Sequence, residues 1–298
     1  MTPFNADYSI NKILLLEHCN NILSQQIDGI AIFGTTGEAS SLSIEEKLDA
    51  ISFLIENNIE PRKLLPGTGL NSIKDTVLFT RAVAKMNVRG VLVLPPFYYK
   101  NVTNDGLVNY YTRVVEDVGE TKLHYLLYHF PQMSCVGIDL HLIEKLLSIY
   151  PNNIVGIKDS GDDIDNMLKI IKSFKDFAVF SGSDTHAHKI VKNGGAGAIT
   201  AVSNISGQLL SFIINNSKRY SSIANFTELQ NLQEEIRSNV FNHQPISVLK
   251  AFMSTKYNNP EWNRLLPPLT TLLEPSNNST IISLLTLIKK MEKLLSNT

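Results

Sequence analysis

The chain has 298 residues, with 27 basic and 28 acidic side chains and a formal charge of −1 at pH 7. A hydrophobic fraction of 43% supports a sizeable core and excludes a disordered chain. A pI of about 6.7, with no dense Lys/Arg cluster, leaves no electrostatic footprint for nucleic acid.

Apolar runs such as residues 91–96 and 281–288 fall well short of the ~20 residues that a membrane span needs. The opening MTPFNADYS has neither a basic nor an apolar signal region, so no signal peptide is expected. The two cysteines, Cys19 and Cys135, form no CxxC and no disulfide framework, which points to a reducing cytoplasm.

In chain order, residues 10–26 read as a helix. The first clear apolar run, 29–33, feeds a loop at 34–41 and a helix over 43–56, opened by the capping-box pair Ser43 and Glu46. Run 63–66 precedes a helix over 72–86, and run 90–94 a helix over 105–118. Run 123–128 precedes a helix over 139–149, and run 153–158 a helix over 163–174. Run 177–181 precedes a helix over 185–192, and run 197–202 a helix over 206–219. Helices over 226–240, 245–255 and 279–295 close the chain, with proline-rich punctuation at 265–269.

The apolar runs are continuous rather than alternating, as in strands buried on both faces. Strands alternating with helices imply a parallel sheet. A strand ahead of residues 10–26 would complete eight units, and only residues 1–4 are available for it. The expected architecture is a (β/α)8 TIM barrel over 1–220, its first strand missing or shortened, with a C-terminal helical appendage over 221–298. An open doubly wound sheet is the alternative. Regular unit spacing and the lack of a first-turn GxGxxG favour the barrel.

Active sites of parallel barrels gather where strands end. Lys158 directly follows the apolar Ile154, Val155, Gly156 and Ile157. Desolvation there favours a neutral amine able to form an imine with a carbonyl. Taken alone, a lysine in this place more often snorkels outward or pairs with its neighbour Asp159. Tyr128 ends the preceding strand, close enough for a phenol to shuttle protons at the same centre; packing with a wet hydroxyl is the plainer role.

Gly34, Thr35, Thr36, Gly37 and Glu38 offer successive amides and two hydroxyls suited to a carboxylate. An ordinary turn, with Glu38 as a helix N-terminal charge, is an even alternative. His186 and His188 lie two apart, do not share a helix face, and complete no metal set. Cys135 reads as a small apolar residue. Asp162 and Asp163 read as helix caps.

Together these motifs resemble the dihydrodipicolinate synthase / N-acetylneuraminate lyase family, pyruvate-handling class I enzymes on (β/α)8 barrels. The similarity runs from about residue 2 to 268. It rests on Thr2-Pro3-Phe4, the 34–38 turn, Gly67-Thr68-Gly69, 96–99, 128–131, 156–160, 181–184, 194–204 and the arginine–proline segment 264–268.

The resemblance implies that Lys158 is the imine-forming lysine and Tyr128 the proton-transfer tyrosine. Thr35 and Tyr98 would form the relay, Tyr98 reaching into a neighbouring subunit. Thr36, Gly37 and the turn amides match the pyruvate carboxylate site. Gly182 and Ile199 match backbone positions of the pocket. Ser183, Asp184 and Met133, with Thr185, would shape the aldehyde half.

Met133 stands where the synthase branch has an arginine for its second substrate's carboxylate, and Met133 cannot pair with an anion. Thr185 and Ala201 replace the glutamate and serine of the sialic-acid branch. The implied function is a Schiff-base carbon–carbon lyase, most like a 2-keto-3-deoxy sugar acid aldolase. Its alternatives are the synthase reaction itself and a non-catalytic keto-acid-binding paralogue. The expected enzyme needs neither metal nor organic cofactor, takes pyruvate or another 2-keto acid, binds neither nucleic acid nor membrane, and forms a cytoplasmic homotetramer, a dimer of dimers.

Overall fold

A computed structural model describes residues 1–296. Side-chain caps fix most helix starts. Asn11 caps α1 (Lys12–Leu23), Ser43 opens α2 (Ile44–Glu56) with both halves of its capping box formed, and Ser72 caps α3 (Ile73–Lys85). Thr103 caps α4 (Asn104–Val118), which ends on left-handed Gly119. A single turn, α5 (Pro131–Ser134), precedes α6 (Leu140–Ile149) and α7 (Ile164–Ser173), capped by Asp139 and Asp163. Then follow α8 (Asp184–Lys192), α9 (Ser203–Asn216), α10 (Phe226–Phe241), α11 (Pro245–Lys256) and α12 (Ser279–Leu295).

Five strands form one parallel sheet in sequence order: β1 (Gly90–Val93), β2 (His124–His129), β3 (Ile154–Asp159), β4 (Ala178–Ser181) and β5 (Gly197–Ala198). Two further apolar segments join its β1 edge through isolated parallel bridges, Ile30 to Leu64 and Gly67 to Leu92. The runs at 29–33 and 63–66 are thus extended and correctly ordered, but each is reduced to a bridge rather than a ladder. The run at 197–202 keeps only Gly197 and Ala198 as strand. Phe4 bridges antiparallel to Ile10 and belongs to no barrel strand.

Among the described residues, no pairing joins Gly197 and Ala198 to the Ile30 segment. The sheet nevertheless curls around one interior. A single cavity is lined by Ile30 and Ala31 on one edge, Ala198 and Ile199 on the other, and Leu92, Leu126, Val155 and Phe180 between them. This is an α/β barrel with one open seam. The Ile30 segment, paired on one side only, has fewer hydrogen bonds to regularise it.

The main core lies between the strands and helices α1 to α7, with Val91, Val93, Tyr125, Leu127, Ile157 and Val179 at its centre. A second core joins α9, α10, α11 and α12, and takes in Leu14 of α1. The C-terminal helices therefore share apolar packing with the barrel's first helix and with the helix after β5. Among the described residues, no helix is long and apolar enough to cross a membrane.

Candidate active site

Parallel pairing places Tyr128 of β2 directly beside Lys158 of β3. Lys158 Nζ donates to the Tyr128 hydroxyl at 3.2 Å and lies 4.3 Å from its ring centroid. Thr35 Oγ1 stands 3.4 Å from the same hydroxyl. Phe130 stacks on the Tyr128 ring at 5.8 Å, covering one side of it. One phenol thus bridges a lysine and a threonine that come from separate strand ends.

Electrostatics pull on the Tyr128 phenol from two sides. Burial pushes the Tyr128 phenol up. The charge of Lys158, with hydrogen bonds from Thr35, Lys158 and Ser160, more than reverses this and leaves it below the ordinary phenol range.

Pairing of Lys158 with Asp159 does not occur. Successive strand residues point to opposite faces, so Asp159 turns away from the barrel interior. There it accepts from the Gly161 amide and the Asn166 side-chain amide, both at 2.8 Å. His129, next to Tyr128, faces the same way. Its Nδ1 accepts from the Ile138 amide at 2.9 Å, and its Nε2 lies 4.0 Å from Asp159 Oδ1. Burial lowers the His129 imidazole against the pull of Asp159 and Asp163.

Thr35, Thr36 and Gly37 form a tight 3-10 turn after Gly34. The Gly37 and Glu38 amides bond back to Gly34 and Thr35, while the Gly37 carbonyl accepts from Thr2 Oγ1 at 2.7 Å. Among the described residues, the Thr35 and Thr36 amides have no backbone acceptor. Thr35, Thr36 and Gly37 line the same cavity, of about 610 Å³, as Lys158 and Ile199. Because the seam is open, the cavity continues past them to Lys63, Arg89 and His124 at the opposite ends of the strands.

Gly182 approaches the site backbone closely. A Cβ there would stand 2.1 Å from Ser160 Oγ and 2.7 Å from Ser160 Cα, so any larger residue would displace the segment after Lys158.

Other residues singled out from the sequence sit apart from this centre. Asp184 is buried, and its Oδ1 accepts from Thr200 at 2.7 Å and Gln233 at 3.1 Å. Its Oδ2 lies 3.5 Å from Arg237, so the carboxylate faces α10 rather than the cavity; burial raises its pKa. Ser183 is buried, and its hydroxyl has no hydrogen-bond partner among the described residues. Met133, on α5, is 58% exposed. Tyr98 is 73% exposed, packs edge-on against Tyr99, and is held by its amide to Asn71 Oδ1.

His186 and His188 diverge as their spacing requires: His186 reaches Asp162 at 3.1 Å, and His188 packs against Tyr220 and Phe226. Asp163 caps α7, whereas Asp162 has a left-handed backbone and pairs with His186 instead. Cys135 is exposed in a left-handed turn and is not a core residue, because the single-turn α5 ends there and turns its side chain outward. Among the described residues, no group of three His, Cys, Asp or Glu side chains could hold a metal.

Two contributors carry little signal in the sequence. Ser160 lies inside a longer motif, and its hydrogen bond helps lower the Tyr128 phenol. Lys250 carried no local signal. It forms a fully buried ion pair with Glu38, at the end of the threonine turn.

The dihydrodipicolinate synthetase family profile matches residues 1–285. A 4-hydroxy-tetrahydrodipicolinate synthase of Listeria welshimeri is 36% identical over 191 residues, 63% of each chain, so the matched stretch spans less than two thirds of that protein. The structure of the 4-hydroxy-tetrahydrodipicolinate synthase of Methylacidiphilum fumariolicum SolV superposes with a TM-score of 0.87 at 23% identity, covering 100% of this chain and 96% of that one. A variant of the Sulfolobus solfataricus 2-keto-3-deoxygluconate aldolase gives 0.84 at 22% identity, with coverage of 100% and 96%. With a match over residues 1–285, the chain belongs to the dihydrodipicolinate synthetase family.

Proposed function

We propose that this chain is a class I aldolase that makes or breaks a carbon–carbon bond to pyruvate, acting on a 2-keto-3-deoxy sugar acid. The observation that carries this reading is the contact of Lys158 Nζ with the Tyr128 hydroxyl, itself within reach of Thr35. A pure binder of keto acids has no need of that relay.

In the proposed cleavage, the Lys158 ammonium sheds a proton, its amine attacks the C2 carbonyl of the 2-keto acid, and that proton is taken back as water leaves, giving a protonated imine. The Tyr128 oxygen takes the proton of the C4 hydroxyl, the C3–C4 bond breaks, and its electron pair moves into the imine to give an enamine. The aldehyde departs. C3 is reprotonated, and water hydrolyses the imine to release pyruvate and restore Lys158. The free Thr35 and Thr36 amides suit the carboxylate. No metal or organic cofactor enters this scheme.

Tyr98 would act as a relay only from a neighbouring subunit, which makes a homotetramer the working assembly. With Tyr99 it forms an exposed aromatic pair of the kind that interfaces use. A buried and an exposed free thiol, Cys19 and Cys135, suit a reducing cytoplasm.

Relatives such as the Listeria synthase favour a second reading, condensation of pyruvate with aspartate semialdehyde. Against it, Met133 offers that aldehyde's carboxylate no cation. Losing one charged hydrogen bond costs roughly 1.5–3 kcal/mol, or about ten- to a hundredfold.

Borohydride reduction in the presence of pyruvate, followed by peptide mass analysis, tests the chemistry: the adduct is expected on Lys158. An adduct on no lysine, or on another, overturns the aldolase reading. A panel of 2-keto-3-deoxy acids set against aspartate semialdehyde separates the two substrates. Efficient condensation with the semialdehyde would select the synthase.

A further inference from the structure

The threonine turn ends on Glu38, a non-glycine residue in the left-handed region at φ 57° and ψ 32°. Something must hold it there, since side chains disfavour that conformation. The Glu38 carboxylate points away from the cavity into the protein, where both it and Lys250 of α11 have 0% side-chain exposure. Glu38 Oε1 pairs with Lys250, and Oε2 accepts from the Leu266 amide at 2.9 Å. Lys250 also donates to the Arg264 carbonyl at 2.7 Å, and its Nζ lies 4.1 Å from the Phe4 ring centroid. Burial lowers Lys250 to about 8 while Glu38 holds it up, so the ammonium persists at neutral pH.

The pair therefore sits at a junction. Arg264 donates to the Phe4 carbonyl at 3.2 Å, and Thr2 donates to the Gly37 carbonyl at 2.7 Å. The first residues of the chain, the threonine turn and the C-terminal helices all meet on these two charges. A buried ion pair is a weak source of stability compared with apolar groups of the same shape, so stability alone is a poor reason for it.

We propose that Glu38 and Lys250 are positioning residues: their pair sets the Thr35–Thr36 turn against Lys158 and Tyr128, and so places the C-terminal helices in control of how the 2-keto acid's carboxylate is held. The proposal rests on the aldolase reading above. Neither residue touches the substrate. Both act through the turn, by fixing the direction of its two free amides and of the Thr35 hydroxyl.

The test measures borohydride trapping of pyruvate by the full-length chain as a function of pyruvate concentration. This yields a half-saturating concentration and a limiting rate. Glu38→Gln and Lys250→Met each strand a buried charge and are expected to lower the melting temperature as well. The double variant Glu38→Gln/Lys250→Met removes both charges and is expected to regain most of that stability. Its half-saturating pyruvate concentration is nevertheless expected to stay raised by about tenfold or more, with the limiting rate changed much less.

A double variant with wild-type melting and wild-type half-saturation overturns the proposal, because the pair would then be structural only. Should the double variant not fold, Lys250→Arg answers the same question, since a guanidinium keeps the charge but not the geometry toward Arg264. Unchanged half-saturation there overturns the positioning role as well. A wild type that traps no pyruvate overturns the aldolase reading and this proposal with it. A wild type that traps, beside variants that bind pyruvate equally well, overturns this proposal alone.

Discussion

The two sides of the barrel differ in regularity. From β1 to β4 the strands form parallel ladders, broken only by a register shift between Tyr125 and Leu126, and Tyr128 and Lys158 sit on paired positions beyond it. Around the seam, the Ile30 segment makes one bridge and β5 has only two residues, and there the threonine turn and Ile199 line the cavity. In the proposed mechanism, covalent chemistry occupies the rigid side and carboxylate recognition the irregular one. Reacting atoms need sub-ångström placement, which a ladder supplies through register. A turn that binds through backbone amides can instead be fixed by side chains from elsewhere, as Glu38 and Lys250 fix this one.

The largest expected effect breaks the rigid side. Lys158→Arg should abolish trapping of pyruvate altogether, since a guanidinium stays protonated and cannot attack a carbonyl. Residual adduct at the same peptide, seen by mass analysis, would move the chemistry elsewhere.

Tyr128→Phe comes next. It should lower turnover ~10²–10⁴-fold while leaving some adduct, because it removes a proton carrier and keeps the nucleophile. Steady-state kinetics beside trapping separates the two. Equal loss in both assays would mean that Tyr128 serves imine formation as much as bond cleavage.

A pair of glycine variants sharpens the contrast through stability. A Cβ on Gly156, inside the ladder, would meet the Ala178 carbonyl oxygen at 2.4 Å, whereas one on Gly34 meets nothing within 4 Å. Gly156→Ala should therefore destabilise by about 1–3 kcal/mol and Gly34→Ala by roughly 0.5 or less. Urea unfolding measures both, and equal costs would remove the distinction between the two sides.

The smallest effect is a pH slope near the seam. His18 lines the cavity, and burial with the Met1 ammonium holds it down to about 3 from an ordinary 6.5, against its hydrogen bond to Asn204. The unfolded chain then binds a proton that the folded one refuses. This contribution is complete above pH 6.5 and is lost progressively as pH falls toward 3. Urea midpoints across that range should decline less steeply in His18→Gln. Parallel slopes in both proteins would refute the assignment.

Helices and inner strands were legible because their signals are local. Ser43, Asp139 and Asp163 announce helix starts, and those helices begin within a residue or two of expectation. Lys158 and Tyr128 were legible as strand ends, and their contact follows from parallel register. The junction of Glu38 with Lys250 was not, because its partners lie on distant segments and no periodicity links them. Asp184 looked like a pocket residue from its motif, but the pull of Thr200, Gln233 and Arg237 depends on where α10 packs. The short bridges at Ile30 and Leu64 were overread as strands because apolar content reports burial, not the number of paired neighbours.

The amide of Ile138 donates to Nδ1 of His129. That one bond settles the tautomer of the ring: Nδ1 carries the lone pair, and the single proton of the neutral imidazole resides on Nε2, toward Asp159. The residue following Tyr128 is therefore committed as an acceptor on one edge and a donor on the other. It has no second proton to give, so the relay proposed on the opposite face of β2 draws on Tyr128 and its hydroxyl neighbours and not on His129.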